Sequence, residues 1–156
     1  MVRFVEDEIR AMGRSSSGVK GIELDGSYVV GAEVVSPEQE ILIVTDKGYG
    51  KKTSIDEYRL THRGSKGVRA LNLTEKNGNM VALKCIDSEQ YDVIIVTDSG
   101  IVMKMPLNQV STLRRATQGV RLINLKDDQK VATVAIVEKE ESTEISEENL
   151  NNSQEW

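Results

Sequence analysis

The chain has 156 residues, a formal net charge of −5 and 38% hydrophobic residues, enough for one domain with a core or for part of a repeat array. No apolar run approaches the roughly 20 residues that span a membrane, and the start, "MVRFVEDEIR", lacks the pattern of a signal peptide. A cytoplasmic protein with no membrane partner is therefore expected. The single Cys85 and single His62 argue against a disulfide, a metal site and histidine-based catalysis.

The acidic charge is concentrated at the C-terminal end. Residues 138 to 156 contain seven glutamates and one lysine, and removing them from the 25 acids and 20 bases leaves 18 acids and 19 bases. Because this segment has almost nothing apolar to bury, it is predicted to be a disordered acidic tail. Two interpretations of the tail stay open: a solvated terminus, or a segment that competes with phosphate groups for basic side chains.

Three stretches of the chain repeat one another at intervals of 49 and 52 residues. They read "RSSSGVKGIEL" from Arg14, "RGSKGVRALNL" from Arg63 and "RATQGVRLINL" from Arg115. Apolar runs follow each of them, namely "YVVGAEVV", "MVALKCI" and "KVATVAIV", and their β-branched content predicts strands. Two further segments, "ILIVTDKGYGKKT" and "VIIVTDSGIVMKM", predict hairpins in the second and third units, with apolar strands covered on both sides.

A β repeat of about 50 residues with about four strands has the size of a propeller blade. We therefore predict an all-β, propeller-like domain over residues 1–137, with units near 1–35, 36–86 and 87–137, followed by the tail at 138–156. A β-solenoid is the main alternative, although its repeats are usually shorter.

The amino-acid sequence of the repeats resembles that of the C-terminal domain of the bacterial DNA gyrase A protein. The resemblance rests on "VRFVEDEIRAMGRSSSGVKGI", "IVTDKGYGKKTSIDEY" and "RRATQGVRLINL", and it extends from Val2 to about Val137. It implies a β-pinwheel, a propeller-like ring, normally of six blades, in which neighbouring blades exchange strands. By this resemblance the chain supplies about three four-stranded blades, from the C-terminal half of the domain.

Basic residues recur once in each unit, so a ring would carry them at equivalent places on its rim. A convex arc of cations suits bent duplex DNA, because phosphates attract cations whatever the base sequence. Any single arginine of this set, taken alone, is better explained as an ordinary solvated charge. The recurring cations are Arg3, Arg14, Lys20, Lys52, Arg63, Arg69, Lys104, Arg115 and Arg121, and Arg10, Lys51, Lys66 and Arg114 lie beside them.

One departure from the family concerns the box Q-R-R-G-G-K-G, on which strong DNA wrapping depends in the family. Residues 61–67, "THRGSKG", match the box at four positions and differ at Thr61, His62 and Ser65. We interpret this stretch as a degenerate repeat of the box, and we expect weaker DNA binding as a result.

The resemblance implies a noncatalytic part of an ATP-dependent type II topoisomerase, an isomerase, in which wrapping supports negative supercoiling. No catalytic site, metal or cofactor is expected in this chain, since ATP and Mg act elsewhere in the holoenzyme, and "GYGKKT" lacks the spacing of a phosphate loop. The implied partners are double-stranded DNA, the rest of the gyrase A protein and the gyrase B protein. Self-association through unpaired strand edges stays open, as do two alternatives: the equivalent domain of topoisomerase IV and a protein-interaction propeller.

Overall fold

A computed structural model describes residues 1–87, 89–126 and 128–139, so residues 140–156 of the predicted tail lie outside the described part. In the described part the fold is all-β, as predicted, with three single-turn 3₁₀ segments at Glu6–Glu8, Ile55–Glu57 and Leu107–Gln109. No helix there is long and apolar enough to span a membrane. The strands are β1 (Glu40–Thr45), β2 (Tyr49–Ser54), β3 (Met80–Ile86), β4 (Tyr91–Thr97), β5 (Val102–Pro106), β6 (Val120–Arg121) and β7 (Val131–Glu138).

The strands form two antiparallel sheets, in the orders β3-β1-β2-β6 and β5-β4-β7. Each sheet is built on one of the predicted hairpins, β1-β2 or β4-β5, and a later strand, β3 or β7, returns to pair with the first strand of its hairpin. The turns are equivalent, because the Gly48 amide donates to the Thr45 carbonyl and the Gly100 amide donates to the Thr97 carbonyl, both at 3.0 Å. The second and third units thus repeat one architecture.

Neighbouring units exchange a short strand. β6 belongs to the third unit, yet it pairs with β2 of the second unit through Tyr49↔Arg121 and Gly50↔Val120. One unit earlier, the Val68 amide donates to the Met1 carbonyl at 2.8 Å and the Met1 amine donates to the Val68 carbonyl at 2.7 Å. The Gly-Val segments of the second and third units therefore each pair with the unit before them.

The core occupies both faces of β1. Leu42 and Val44 face a cluster between the two sheets, whereas Ile41 and Ile43 face a second cluster with Ile55, Tyr58 and Leu71. Met1 and Val35 of the first unit pack against this second cluster. All four β1 side chains are at most 1% exposed, and full burial of one such side chain is worth about 1.5–3 kcal/mol. The prediction of a strand covered on both sides is confirmed.

The strand expected over "YVVGAEVV", residues 28–35, is absent, and this prediction is wrong. Tyr28 and Val34 are 73% and 84% exposed. The equivalent strands β3 and β7 pair with β1 and β4, but no such hairpin precedes residues 28–35 within the described chain. An apolar run becomes a strand only where a partner satisfies its backbone groups.

The glycine before each exchanged strand gives a stability prediction. Gly119 has a left-handed φ of +77°, and an added Cβ would lie 2.9 Å from the carbonyl oxygen of Gly50; Gly18 has a similar φ of +80° with no described atom within 4 Å. We expect Gly18→Ala to lower the free energy of unfolding by about 1 kcal/mol and Gly119→Ala to lower it by about 1–3 kcal/mol more. Denaturant unfolding at low protein concentration measures the difference, and equal losses would contradict the close contact at Gly50.

Candidate nucleic-acid interface

The candidate interface is built from three equivalent loops, which we call corners: residues 14–20, 63–69 and 115–121. Each runs from the repeat arginine to the cation that follows Gly-Val. The strand exchange fixes the second and third corners, since Gly67-Val68 lies on the first unit and Gly119-Val120 lies on the second.

Hydrogen bonds join each corner to the next. The Arg63 guanidinium donates to the Lys20 carbonyl at 3.2 Å, and the Arg115 guanidinium donates to the equivalent Arg69 carbonyl at 2.6 Å. These two repeat arginines are only half-exposed, so they act first as links between units. The links hold the second corner against the first and the third corner against the second.

Two glutamates bind main-chain amides of the second and third corners. The sequence analysis predicted neither of these contacts. A carboxylate oxygen of Glu8 accepts from the Arg63 amide at 3.0 Å, and one of Glu57 accepts from the Arg115 amide at 3.1 Å. The hydrogen bond from Arg63, the main cause, lowers the pKa of Glu8 below its ordinary value. Glu8 and Glu57 are 49 residues apart, like Arg14 and Arg63, so the repeat spacing contained this signal.

The hydrogen bond from Arg115 to the Arg69 carbonyl predicts that substitutions at Arg114 and Arg115 change the stability by different amounts. Arg115→Met removes a hydrogen bond to the Arg69 carbonyl and is expected to lower the free energy of unfolding by about 1–2 kcal/mol. Arg114→Met makes the same change of charge at an exposed side chain and should stay within about 0.5 kcal/mol of wild type. Denaturant midpoints of the two variants measure this, and similar values would show that the link contributes nothing.

Five of the predicted cations are exposed and unpaired. Their side chains make no hydrogen bond or ion pair to any residue in the described ranges, so they are available to an anionic partner. These residues are Arg10, Arg14, Lys66, Arg69 and Arg114.

Four further predicted cations already have partners. Lys20 pairs with Glu23, and Lys104 lies 3.2 Å from a carboxylate oxygen of Asp92. The half-buried Arg3 donates to the carbonyls of Ile55 and Tyr58 at 3.0 and 3.1 Å. Arg121 donates at 3.0 Å to the hydroxyl of Tyr49, and its guanidinium carbon lies 5.5 Å from the centre of that ring, so the aromatic side chain orients this cation.

Lys51 and Lys52 must be removed from the candidate set, because the structure buries both. Lys51 is 0% exposed, and its ammonium donates to the carbonyls of Arg114 and Arg115 at 2.8 and 2.6 Å and to Thr117 at 3.2 Å. Burial, the main cause, lowers the pKa of Lys51 to about 8.

Lys52 is 3% exposed and forms ion pairs with Glu89 and, at 3.1 Å, with Glu40. Burial opposes its charge, but the hydrogen bonds to the two glutamates outweigh that effect and raise the pKa of Lys52. Neither lysine presents its charge at the surface, so neither can meet a phosphate.

A shallow depression of about 440 Å³ lies beside the second corner, lined by residues 66–69 and 71–73. Lys66 and Arg69 stand at this depression, and both are exposed and unpaired. The described residues contain no group of three or more metal-ligating side chains that could hold an ion. The second corner therefore presents two exposed, unpaired cations beside one depression.

The sequence of the chain matches the model of a known protein family. The family described as "DNA gyrase C-terminal domain, beta-propeller" matches residues 1–36, 39–87 and 91–138. The chain belongs to this family. The resemblance found in the repeats is confirmed.

The chain is similar to curated DNA gyrase A proteins. The DNA gyrase A protein of Staphylococcus aureus (strain NCTC 8325 / PS 47) is 42% identical over 156 residues, covering 98% of this chain and 18% of the relative. The same protein from strain MRSA252 is 44% identical over 151 residues, covering 95% of this chain and 17% of the relative. The chain thus spans about a fifth of the length of the relatives that it matches.

Two solved structures share the fold. The C-terminal domain of DNA topoisomerase IV matches with a TM-score of 0.79 at 22% identity, covering 86% of this chain and 42% of the solved chain. The DNA gyrase A C-terminal domain matches with a TM-score of 0.74 at 22% identity, covering 85% and 45%. The predicted propeller-like, β-pinwheel fold is confirmed.

Proposed function

We propose that this chain binds duplex DNA along the arc of corners and wraps it, as part of a gyrase A protein. The observation that carries the proposal is the arrangement of five exposed, unpaired cations on or beside corners that are hydrogen-bonded to one another. A rigid arc of this kind meets phosphates at regular intervals and needs no base contacts. Sequence-independent binding is therefore expected.

Bending is the energetic obstacle to wrapping. Bending a site of 20–30 base pairs costs about 1–6 kcal/mol, so several phosphate contacts must act together. The corners are linked through Arg63 and Arg115, which lets the protein hold its curvature while DNA deforms. Because "THRGSKG" departs from the family's box at three positions, we expect the affinity to be lower than that of a domain with an intact box.

In this proposal the chain itself performs no bond-breaking step. Strand cleavage, ATP turnover and Mg binding belong to other parts of a cytoplasmic type II topoisomerase, and the proposed protein partners are the rest of the gyrase A protein and the gyrase B protein. The arc presents wrapped DNA to those other parts of the topoisomerase. This presentation supports negative supercoiling. The acidic tail, outside the described residues except for Glu138 and Lys139, keeps its two open interpretations.

The test measures binding of duplex DNA to the 156-residue chain over a range of salt concentrations. We expect binding at low salt, with little dependence on base sequence and a logarithmic slope that counts the phosphates contacted. Binding that is absent at low salt would remove the DNA proposal and favour a protein-interaction propeller.

The second candidate is the equivalent domain of topoisomerase IV, favoured by the TM-score of 0.79. Topological wrapping separates the two, because the resemblance implies poor wrapping by that domain. The chain is added to relaxed closed plasmid, free supercoils are removed by a type I topoisomerase, and the change in linking number is read on a gel. A shift supports the gyrase assignment, whereas binding without a shift would remove wrapping from the proposal and leave DNA binding alone.

A further inference from the structure

Two cations from different units lie against one aromatic ring at the junction between the second and third units. The ammonium nitrogen of Lys76 lies 5.9 Å from the centre of the Tyr49 ring, and the guanidinium carbon of Arg121 lies 5.5 Å from it. Both cations are exposed, whereas Tyr49 is only 8% exposed. We call these three residues the Tyr49 cluster. It lies on β2, which is paired on one side by β1 and on the other by β6.

The positive charge of the Tyr49 cluster is not neutralised by any residue that the structure describes. Arg121 donates there only to uncharged oxygens, the Tyr49 hydroxyl at 3.0 Å and the side-chain oxygen of Asn124 at 3.1 Å. Lys76 makes no hydrogen bond or ion pair within the described ranges. Two positive charges beside one ring repel each other, and a bound anion would relieve that repulsion.

The loop that carries Lys76, residues 74–78, is held on two sides. Asn77 is 0% exposed, and its side-chain nitrogen donates to the carbonyl of Gln118, in the third corner, at 3.0 Å. The ammonium of Lys47 donates to the carbonyl of Glu75, which ties the loop to the turn between β1 and β2. Lys76 therefore has a fixed place beside the corner that ends at Arg121.

The repeat architecture does not require this cluster. In the third unit Ile101 occupies the position equivalent to Tyr49, and the loop equivalent to residues 74–78 reads "KDDQ", residues 126–129, with two acids and no counterpart of the exposed Lys76 beside a ring. The same fold thus forms with an aliphatic side chain and the opposite charge at these places. The combination of a tyrosine with two cations is specific to the junction of the second and third units.

We infer that the Tyr49 cluster binds one phosphate of duplex DNA, with Arg121 and Lys76 as the phosphate ligands and Tyr49 as the residue that positions Arg121. The inference rests on the proposed function and adds a contact outside the three corners. A base cannot stack on the Tyr49 ring, because the ring is almost fully covered. The ligand is therefore a phosphate, and DNA on the third corner continues toward the turn between β1 and β2.

The chemistry of Arg121 suits this role. A guanidinium has five N–H donors in a fixed plane, and the contacts with Tyr49 and Asn124 leave others for phosphate oxygens. Because both of these partners are uncharged, they order the long side chain without cancelling its charge. Less conformational entropy is then lost when a phosphate binds.

The experiment measures binding of duplex DNA to the 156-residue chain at several salt concentrations. At about 0.1 M salt, Lys76→Gln is expected to raise the dissociation constant roughly three- to tenfold and to reduce the salt slope by about one. The matched control is Lys126→Gln, which removes an exposed lysine from the equivalent loop of the third unit. We expect this control to bind DNA about as well as wild type.

Tyr49→Phe tests the positioning role, because it keeps the ring and the net charge and removes only the hydroxyl. It is expected to raise the dissociation constant roughly two- to fivefold. In an Arg121→Gln background the same substitution should have no further effect on DNA binding, since the hydroxyl acts through Arg121. A merely structural role of Tyr49 would weaken binding equally in both backgrounds, and circular dichroism checks that each variant is folded.

The outcomes separate this inference from the proposed function. Wild-type binding that Lys76→Gln leaves unchanged, or that Lys126→Gln weakens equally, would overturn the phosphate site while leaving DNA binding at the corners in place. A full effect of Tyr49→Phe in the Arg121→Gln background would overturn the positioning role. If the wild-type chain does not bind duplex DNA at low salt, the proposed function and this inference both fail.

Discussion

Reversing two charges at the second corner, Lys66→Glu with Arg69→Glu, is expected to weaken binding of duplex DNA at least about tenfold, or roughly 1.4 kcal/mol. Both side chains are exposed and unpaired beside the same depression, so their charges are available to phosphates. Only the main-chain carbonyl of Arg69 takes part in the link with Arg115, and that group stays. Affinity measured at several salt concentrations should also show a slope reduced by about one for each phosphate that the variant no longer neutralises.

The matched control is Lys126→Glu with Lys130→Glu. It makes the same change in net charge at two exposed lysines outside the corners, so it separates the place of the charge from its amount. We expect the control to retain most of the wild-type affinity. Equal losses in the two double variants would mean that only overall charge matters, and the corners would then not be the DNA path.

The repeat pattern predicted where cations recur, but the folded context decided which of them are free. Lys52 and Lys104 occupy the same place in successive units, yet one is 3% exposed and the other is exposed. The difference comes from the neighbouring unit: a bridge at Thr112 covers β2 beside Lys52, whereas β5 is an edge strand. Whether a cation is buried depends on contacts between units. The spacing of residues along the sequence does not show those contacts.

The sequence predicted correctly those strands whose pairing partners lie within the described residues. The apolar run of β1 indicated burial on both faces, and the structure shows it. The similar run at residues 28–35 gave the same local signal without becoming a strand, because β propensity expresses packing against neighbours rather than an intrinsic preference of the backbone. The anchoring roles of Glu8 and Glu57 were missed for a related reason: a glutamate at the end of a single 3₁₀ turn has no distinctive local pattern.

The buried ammonium of Lys51 is expected to stabilise the third corner, and Lys51→Met should lower the free energy of unfolding at neutral pH by about 2 kcal/mol. Methionine occupies the equivalent position 103 in the third unit, so the side chain suits the site sterically. The variant leaves the carbonyls of Arg114 and Arg115 and the Thr117 hydroxyl without this donor. Desolvation of the charge opposes the gain and is the larger effect on the Lys51 pKa, but the three acceptors that the variant leaves unpaired pay their own desolvation cost.

The free energy of unfolding of wild type relative to Lys51→Met is expected to depend on pH. Burial lowers the pKa of Lys51 to about 8 from an ordinary value of 10.5, so the unfolded chain holds this proton more tightly than the folded chain between those two values. The desolvation cost of the charge acts fully below about pH 8 and is relieved as the pH rises toward 10.5. The stability of wild type relative to Lys51→Met is therefore expected to increase over this range, while the other lysines titrate alike in both proteins. Denaturant unfolding of both from pH 7 to 10 measures the difference, and a difference that shrinks as the pH rises would show that the Lys51 pKa is not lowered in the fold.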